Sequence, residues 1–119
     1  MITAIPFVAC PVTNMHRARA FYEGVLQLKP SSITCEEKWV EYEIGGATFA
    51  ISNISPAWTP SSQGTSVAFE VDDIYDIMSL LKAHGSVIFE DVFETPVCHM
   101  ALVGDPDGNK ITIHKRKAA

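Results

Sequence analysis

At 119 residues the chain fits one compact domain, and with 47% hydrophobic and 19% charged residues it can bury enough apolar surface to fold, which excludes general disorder. A net charge of −5 repels phosphate backbones and argues against nucleic-acid binding. No apolar run approaches the roughly 20 residues of a membrane span, and the apolar start from Ile2 to Val12 holds Pro6 and Pro11 and no basic leader, so a cytoplasmic protein with no membrane partner is expected.

In chain order, Ile5 to Val12 is apolar without helical spacing and predicts a buried strand. Asn14 offers a helix N-cap, and Ala18, Phe21, Tyr22, Val25 and Leu26 follow at helical spacing, with Arg17 and Arg19 turned outward. Gly24 falls inside this helix and costs it roughly 1 kcal/mol relative to Ala. Ile33 to Ile44 and Ala47 to Ile54 read as strands joined by Gly45-Gly46, a hairpin signal. Ser55 to Gly64, rich in Ser, Pro and Gly, is the linker.

The second half repeats the plan. Ser66 to Val71 alternates as a strand. Asp73 caps a helix carrying Ile74, Ile77, Met78, Leu80 and Leu81, which Gly85 closes. Val87 to Val92 and Val97 to Val103 are strands, Asp105-Pro106-Asp107-Gly108-Asn109 is a turn, and Ile111 to His114 is the last strand. Laid over each other, Val12-Thr13-Asn14 meets Val71-Asp72-Asp73, and Gly46 to Ser52 meets Gly108 to His114. Each half is therefore β-α-β-β-β, a doubled unit. The terminal Lys115-Arg116-Lys117 is expected to be a solvated tail. Cys10, Cys35 and Cys98 are odd in number with no C-x-x-C, which reads as reduced thiols.

Three stretches carry a resemblance: VTNMHRARAFYEGVLQL at the first helix, VAFEVDDIYDIMSLL at the second, and DPDGNKITIH at the last turn and strand. They resemble the vicinal oxygen chelate superfamily, the glyoxalase, bleomycin-resistance and extradiol-dioxygenase relatives, over about Ile5 to Lys115. The resemblance implies an α+β fold of two βαβββ modules forming a cup, often completed by a second copy. A single domain over 1–119 is expected, with module one at about 1–54, the linker at 55–64 and module two at about 65–115.

Alternation assigns the faces. Val67, Phe69 and Val71 face the helices, so Ser66, Ala68 and Glu70 face the cup. Val8, Cys10 and Val12 likewise leave Phe7 and Ala9 to the cup, and Ile111 and Ile113 leave Lys110, Thr112 and His114. By the repeat, Thr48, Ala50 and Ser52 share that face. Trp39, Glu41 and Glu43 share one face of their strand and Val40, Tyr42 and Ile44 the other; which one is the cup face stays open at this point.

Metal-dependent members of the superfamily place His, Gln or Glu at four cup positions, and the resemblance puts Phe7, Ala50, Ser66 and Thr112 there. None suits a divalent metal, so no cofactor is expected. A displaced site built from Glu70, His114 and Glu41 has no ligand spacing behind it. Glu70 and His114 are the candidate acid–base groups, and burial of Glu70 against Phe7 would raise its pKa. Phe7, Trp39, Glu41, Ala50, Ser66, His99 and Thr112 are the candidate ligand-binding residues, with Trp58, Tyr42 and Phe49 added where they face inward. Cys98 and His99 are neighbours on a strand and point to opposite faces, so they make no nucleophilic pair. His16 reads as solvated and His84 as structural at a helix end.

The expected function is metal-free binding or sequestration of a small organic ligand. A lyase, isomerase or dioxygenase-type enzyme of the same superfamily is the alternative, and an interaction module with a vestigial cup the second. The expected partners are that ligand and a second copy of the chain, since strand edges left open invite aggregation.

Overall fold

The computed structural model describes residues 1–118. The chain divides into two compact units, one of residues 1–60 and one from residue 61 on, and the division falls inside the Ser55 to Gly64 segment.

In the first unit, β1 (Val8–Pro11) leads to α1 (Met15–Arg19), which continues as a π-helical segment over Ala20–Val25, and then to β2 (Ser32–Thr34), β3 (Trp39–Ile44) and β4 (Ala47–Ser52). The sheet order is β1-β4-β3-β2, with β1 parallel to β4 and the other pairs antiparallel. Asn14 Oδ1 accepts the Arg17 N–H at 2.9 Å and so caps α1. In the π segment Leu26 N–H reaches back five residues to the Phe21 carbonyl. The widened turn brings consecutive side chains closer in angle, and Phe21 and Tyr22 are both buried. Their rings meet edge to face at 5.0 Å, and Tyr22 lies 5.3 Å from Phe49 of β4. That contact fixes the helix-facing side of the sheet.

Two strand readings need correction. The first strand begins at Val8, not Ile5, because Ile5 is exposed and has no ladder partner in the register. The run from Ile33 to Ile44 is two strands. Cys35, Glu36 and Glu37 all take positive φ (54°, 55° and 66°) and turn the chain back tightly. Nothing in the residue types announces this turn, since none of the three is Gly or Asn. The Gly45-Gly46 hairpin is as expected: both glycines have positive φ (57° and 86°), and Ile44 pairs with Ala47.

The second unit repeats the order: β5 (Val67–Glu70), α2 (Ile74–His84), β6 (Ile88–Glu94), β7 (Cys98–Gly104) and β8 (Lys110–Arg116). Its sheet runs β5-β8-β7-β6, again with the first strand parallel to the last. Asp73 Oδ1 accepts from Tyr75 and Asp76 N–H, and Gly85 closes α2 in the left-handed conformation (φ 87°). Ile74, Met78 and Leu81 are buried while Leu80 is exposed, so the apolar stripe of α2 is narrower than its sequence. The DPDGN turn is a closed hydrogen-bond cage. Asp105 accepts from the N–H groups of Asp107 and Asn109 and from the Asn109 amide, each at 2.9 Å. Asn109 Oδ1 in turn accepts from Ser61 N–H at 3.1 Å and ties the start of the unit to its last turn. The βαβββ repeat is therefore borne out, and its overlay is residue for residue: Ala9 pairs with Ala50 as Ala68 pairs with Thr112.

Candidate functional site

In the first unit the Tyr22–Phe49 contact decides the question the strand pattern leaves open. Phe49, Ile51, Val40 and Tyr42 share the helix-facing side by register and are buried. Trp39, Glu41 and Glu43 therefore lie on the opposite, open face, with Glu41 paired to Ala50 and Trp39 to Ser52. Tyr42 and Phe49 are core residues and leave the set of ligand candidates. On the open face the Phe7 and Trp39 rings meet edge to face at 4.9 Å. Trp39 Nε1–H donates to Glu41 Oε2 at 2.8 Å. Phe7 is 42% exposed, so it is a rim group and not the buried floor its apolar character suggests. Ala50 is fully buried and contributes only a methyl group; Ser52, also buried, is occupied by the Lys38 carbonyl and the Ile54 N–H.

In the second unit Val67 and Phe69 pair with Ile111 and Ile113, which leaves Ala68, Glu70, Thr112 and His114 on the other face. Ser66 and Thr112 share a hydrogen bond at 2.8 Å between their hydroxyls. His114 Nδ1 is hydrogen-bonded to Glu70 Oε1, and Arg116 N–H donates to Glu70 Oε2 at 2.8 Å. A carboxylate can only accept, so Nδ1 carries the proton in this pair and Nε2 points elsewhere. The Arg116 N–H, and after it His114, hold the Glu70 carboxyl below the usual carboxylate range. The burial that would raise it is not met, since the Glu70 side chain is 50% exposed.

His99 does not join these residues. It pairs with Lys115 and has the parity of Ala101 and Val103, the face opposite Thr112 and His114. Cys98 has the other parity and contacts Thr95 Oγ1 at 3.0 Å, so Cys98 and His99 form no pair. The basic end of the chain is not a loose tail. Lys115 and Arg116 belong to β8, and Lys117 donates its N–H to the Val97 carbonyl and its Nζ to Glu94 at 2.6 Å. Continuing the alternation two residues past His114 would have placed Arg116 on the His114 face.

The pattern also missed a polar network in the first unit. Arg19 is not turned outward but grips Glu23 through two hydrogen bonds, at 2.6 and 3.1 Å, and the buried Tyr42 hydroxyl donates to Glu23 at 2.8 Å. Burial pushes Glu23 up, but the bonds from Arg19 and Tyr42 outweigh it and hold the carboxyl low. Burial, with the bond to Glu23, drives the Tyr42 phenol well up. Arg19 and Glu23 border a cavity of about 610 Å³ with His16, Glu37 and Lys38. The i, i+4 spacing of Arg19 and Glu23 was the available signal.

Of the four positions that the resemblance singles out, Phe7 and Ala50 in the first unit present a ring and a methyl group, and in the second unit the Ser66 and Thr112 hydroxyls satisfy each other, so none offers a good donor to a divalent metal. Among the described residues no group of three or more His, Cys, Asp or Glu side chains could hold a metal ion. No helix among them is long and apolar enough to cross a membrane.

The family model of the Glyoxalase/Bleomycin resistance protein/Dioxygenase superfamily matches residues 4–113. No curated protein matches the chain. Among solved structures, TnmS3, an antibiotic binding protein from Streptomyces sp. CB03234, superposes with a TM-score of 0.79 at 21% identity, covering 98% of each chain. A lactoylglutathione lyase from Agrobacterium tumefaciens reaches 0.71 at 17% identity, over 96% of this chain and 94% of its own. A virulence protein from Salmonella typhimurium reaches 0.72 at 22% identity, over 97% and 98%. At these identities the likeness shows the fold and leaves activity to the site.

Proposed function

The chain belongs to the glyoxalase/bleomycin resistance protein/dioxygenase superfamily, and within it we propose that this protein binds a small organic ligand without a metal. The observation that carries the reading is the Phe7–Trp39–Glu41 arrangement on the open face of the first sheet. An edge-to-face aromatic pair leaves ring surface for a flat ligand, and Glu41 beside it accepts from an N–H or faces a cationic group. Ring surface with one carboxylate suits a planar, nitrogen-bearing compound better than a sugar or a phosphate. The antibiotic-binding function of a structural neighbour is consistent with this reading. An odd number of cysteines without a C-x-x-C supports a reducing, cytoplasmic setting. The edge strands β1 and β2, β5 and β6 support pairing with a second copy, which sedimentation velocity tests.

The test is a thermal-shift and fluorescence screen against planar aromatic amines, in a Trp58→Phe background so that Trp39 alone reports. A ligand at a hundred times its Kd adds about 2.7 kcal/mol to apparent stability and raises Tm. A hit should quench Trp39, and Trp39→Ala should weaken it by about tenfold or more. A screen without hits, or hits indifferent to Trp39→Ala and Phe7→Ala, would overturn the reading.

A second reading has its own observation. The Glu70–His114 pair orients the imidazole through Nδ1 and leaves Nε2 open to a substrate, which suits proton transfer in a lyase or isomerase step. His114 would touch the substrate and Glu70 would be a positioning residue. Turnover lost in His114→Ala, and a shifted pH profile in Glu70→Gln, would support it; unchanged turnover in both would dismiss it.

A further inference from the structure

The end of β8 and the turn between β6 and β7 border an open groove of about 440 Å³. Its lining combines apolar Pro96, Val97 and Ala118, with Val97 69% exposed, and polar His114, Arg116 and Lys117.

Two carboxylates, Glu70 and Glu94, stand near two cations, Arg116 and Lys117, and what separates the two cations is their hydrogen bonding. Glu94 is neutralised by Lys117 at 2.6 Å. Glu70 is occupied by His114 Nδ1 and by the Arg116 backbone N–H. That leaves the Arg116 guanidinium, which acts on the Glu70 carboxyl only through space, without a hydrogen-bonded side-chain partner among the described residues, and His114 Nε2 likewise. A chain with a net charge of −5 thus presents, in one groove, a guanidinium whose donors meet no side chain among the described residues, beside an oriented imidazole and apolar side chains.

We propose that this groove is an oxyanion site for a small organic acid. Arg116 holds a carboxylate or phosphate group through its planar fork of donors. His114 Nε2 meets the next polar group of the ligand, and the ligand's carbon skeleton lies on Pro96 and Val97. Glu70 is a positioning residue, because it touches only His114 and the β8 backbone. The inference rests on the second unit alone and does not need the aromatic face around Trp39.

The experiment is an NMR titration of the full chain with phenylacetate and, separately, with inorganic phosphate, each against sodium chloride at equal ionic strength. The readouts are the Arg116 Nε–H and the His114 ring signals. Saturable shifts at both residues with either probe are expected, and the arm that saturates at lower concentration identifies the carboxylate or the phosphate as the preferred oxyanion. Arg116→Ala should weaken binding by about tenfold or more, Arg116→Lys should restore part of it, and Trp39→Ala should leave it unchanged. Arg116 is exposed, so its variants should keep the dispersed spectrum of the folded chain. Shifts no larger than those from sodium chloride, or titrations unaltered by Arg116→Ala, would overturn the proposal. Failure of this site would leave ligand binding at Trp39 standing, and failure at Trp39 would leave this site standing.

Discussion

Ser66 and Thr112, 46 positions apart in the chain, join their hydroxyls at 2.8 Å. The bond ties the start of β5 to the middle of β8, and it forms only in the register that sets Ala68 against Thr112. A slip of one residue would send Thr112 into the apolar side with Ile111 and Ile113. Thr112 is nearly buried, so its hydroxyl depends on Ser66 for a partner. Thr112→Val keeps the shape and removes the bond, and Ser66, being exposed, recovers a partner in water. The expected loss is about 1 kcal/mol, read as a lower urea midpoint with an unchanged slope.

Each of these two hydroxyls is satisfied by the other, which leaves neither a strong donor for a divalent cation. A neutral hydroxyl pair cannot compete with water for a divalent cation, and among the described residues no group of three or more His, Cys, Asp or Glu could hold one. Dialysis against a strong chelator should therefore leave Tm unchanged, and added zinc, nickel or manganese should not raise it. A rise of several degrees at equimolar metal would show a donor set that the geometry does not contain.

What the sequence made legible was periodic, and what it hid was local. Alternation alone placed Ser66, Glu70, Thr112 and His114 on one face, because period 2 is fixed by the pleat and the apolar partners Phe69, Ile111 and Ile113 are unambiguous. The face of Trp39 and Glu41 could not be read, because Val40, Tyr42 and Ile44 are as plausible beside a ligand as in a core; only the Tyr22–Phe49 contact decides it. The turn at Cys35, Glu36 and Glu37 escaped notice, since three non-glycine residues at positive φ break the local rule. The π-helical segment escaped for a different reason: Phe21 and Tyr22 both look like helix core at any pitch. Arg116 was passed over because a basic triplet at a chain end suggests a tail, although its parity with His114 was already in the sequence.

The Glu70–His114 pair predicts a pH dependence with a definite sign. The carboxyl of Glu70 lies below its ordinary 4.5 in the folded chain, because Arg116 N–H and His114 bond its charged form. A depressed folded value means that the contribution is fully present above the unfolded value and is lost as pH falls through the folded one. Wild type should thus have a higher urea midpoint than Glu70→Gln above the ordinary Glu value. The difference should shrink once the pH drops below 4.5. Glu70 is half exposed, so solvent screens the pair and the difference should be small. A gap that instead widens toward acid would mean that the carboxyl is not the stabilised form.

The Arg19–Glu23–Tyr42 network sets a sharper test, because its members differ in burial. Tyr42 is fully buried and its hydroxyl has Glu23 as its hydrogen-bond partner, while Glu23 has Arg19 as well. Tyr42→Phe removes the donor and leaves Glu23 still held by Arg19, for a cost of about 1–2 kcal/mol. Glu23→Ala instead strips the buried Tyr42 hydroxyl of its acceptor and leaves Arg19 without its carboxylate partner. It should cost about 1–2 kcal/mol more, since an unmet buried donor is worse than an absent one. In the double variant the second penalty should largely vanish, because with Phe at position 42 no hydroxyl is left waiting. Chemical denaturation of the three variants reads all of this directly. Equal losses in the two single variants with full additivity in the double would mean that water, not Glu23, satisfies Tyr42, and that the π-helical segment is held by ring packing alone.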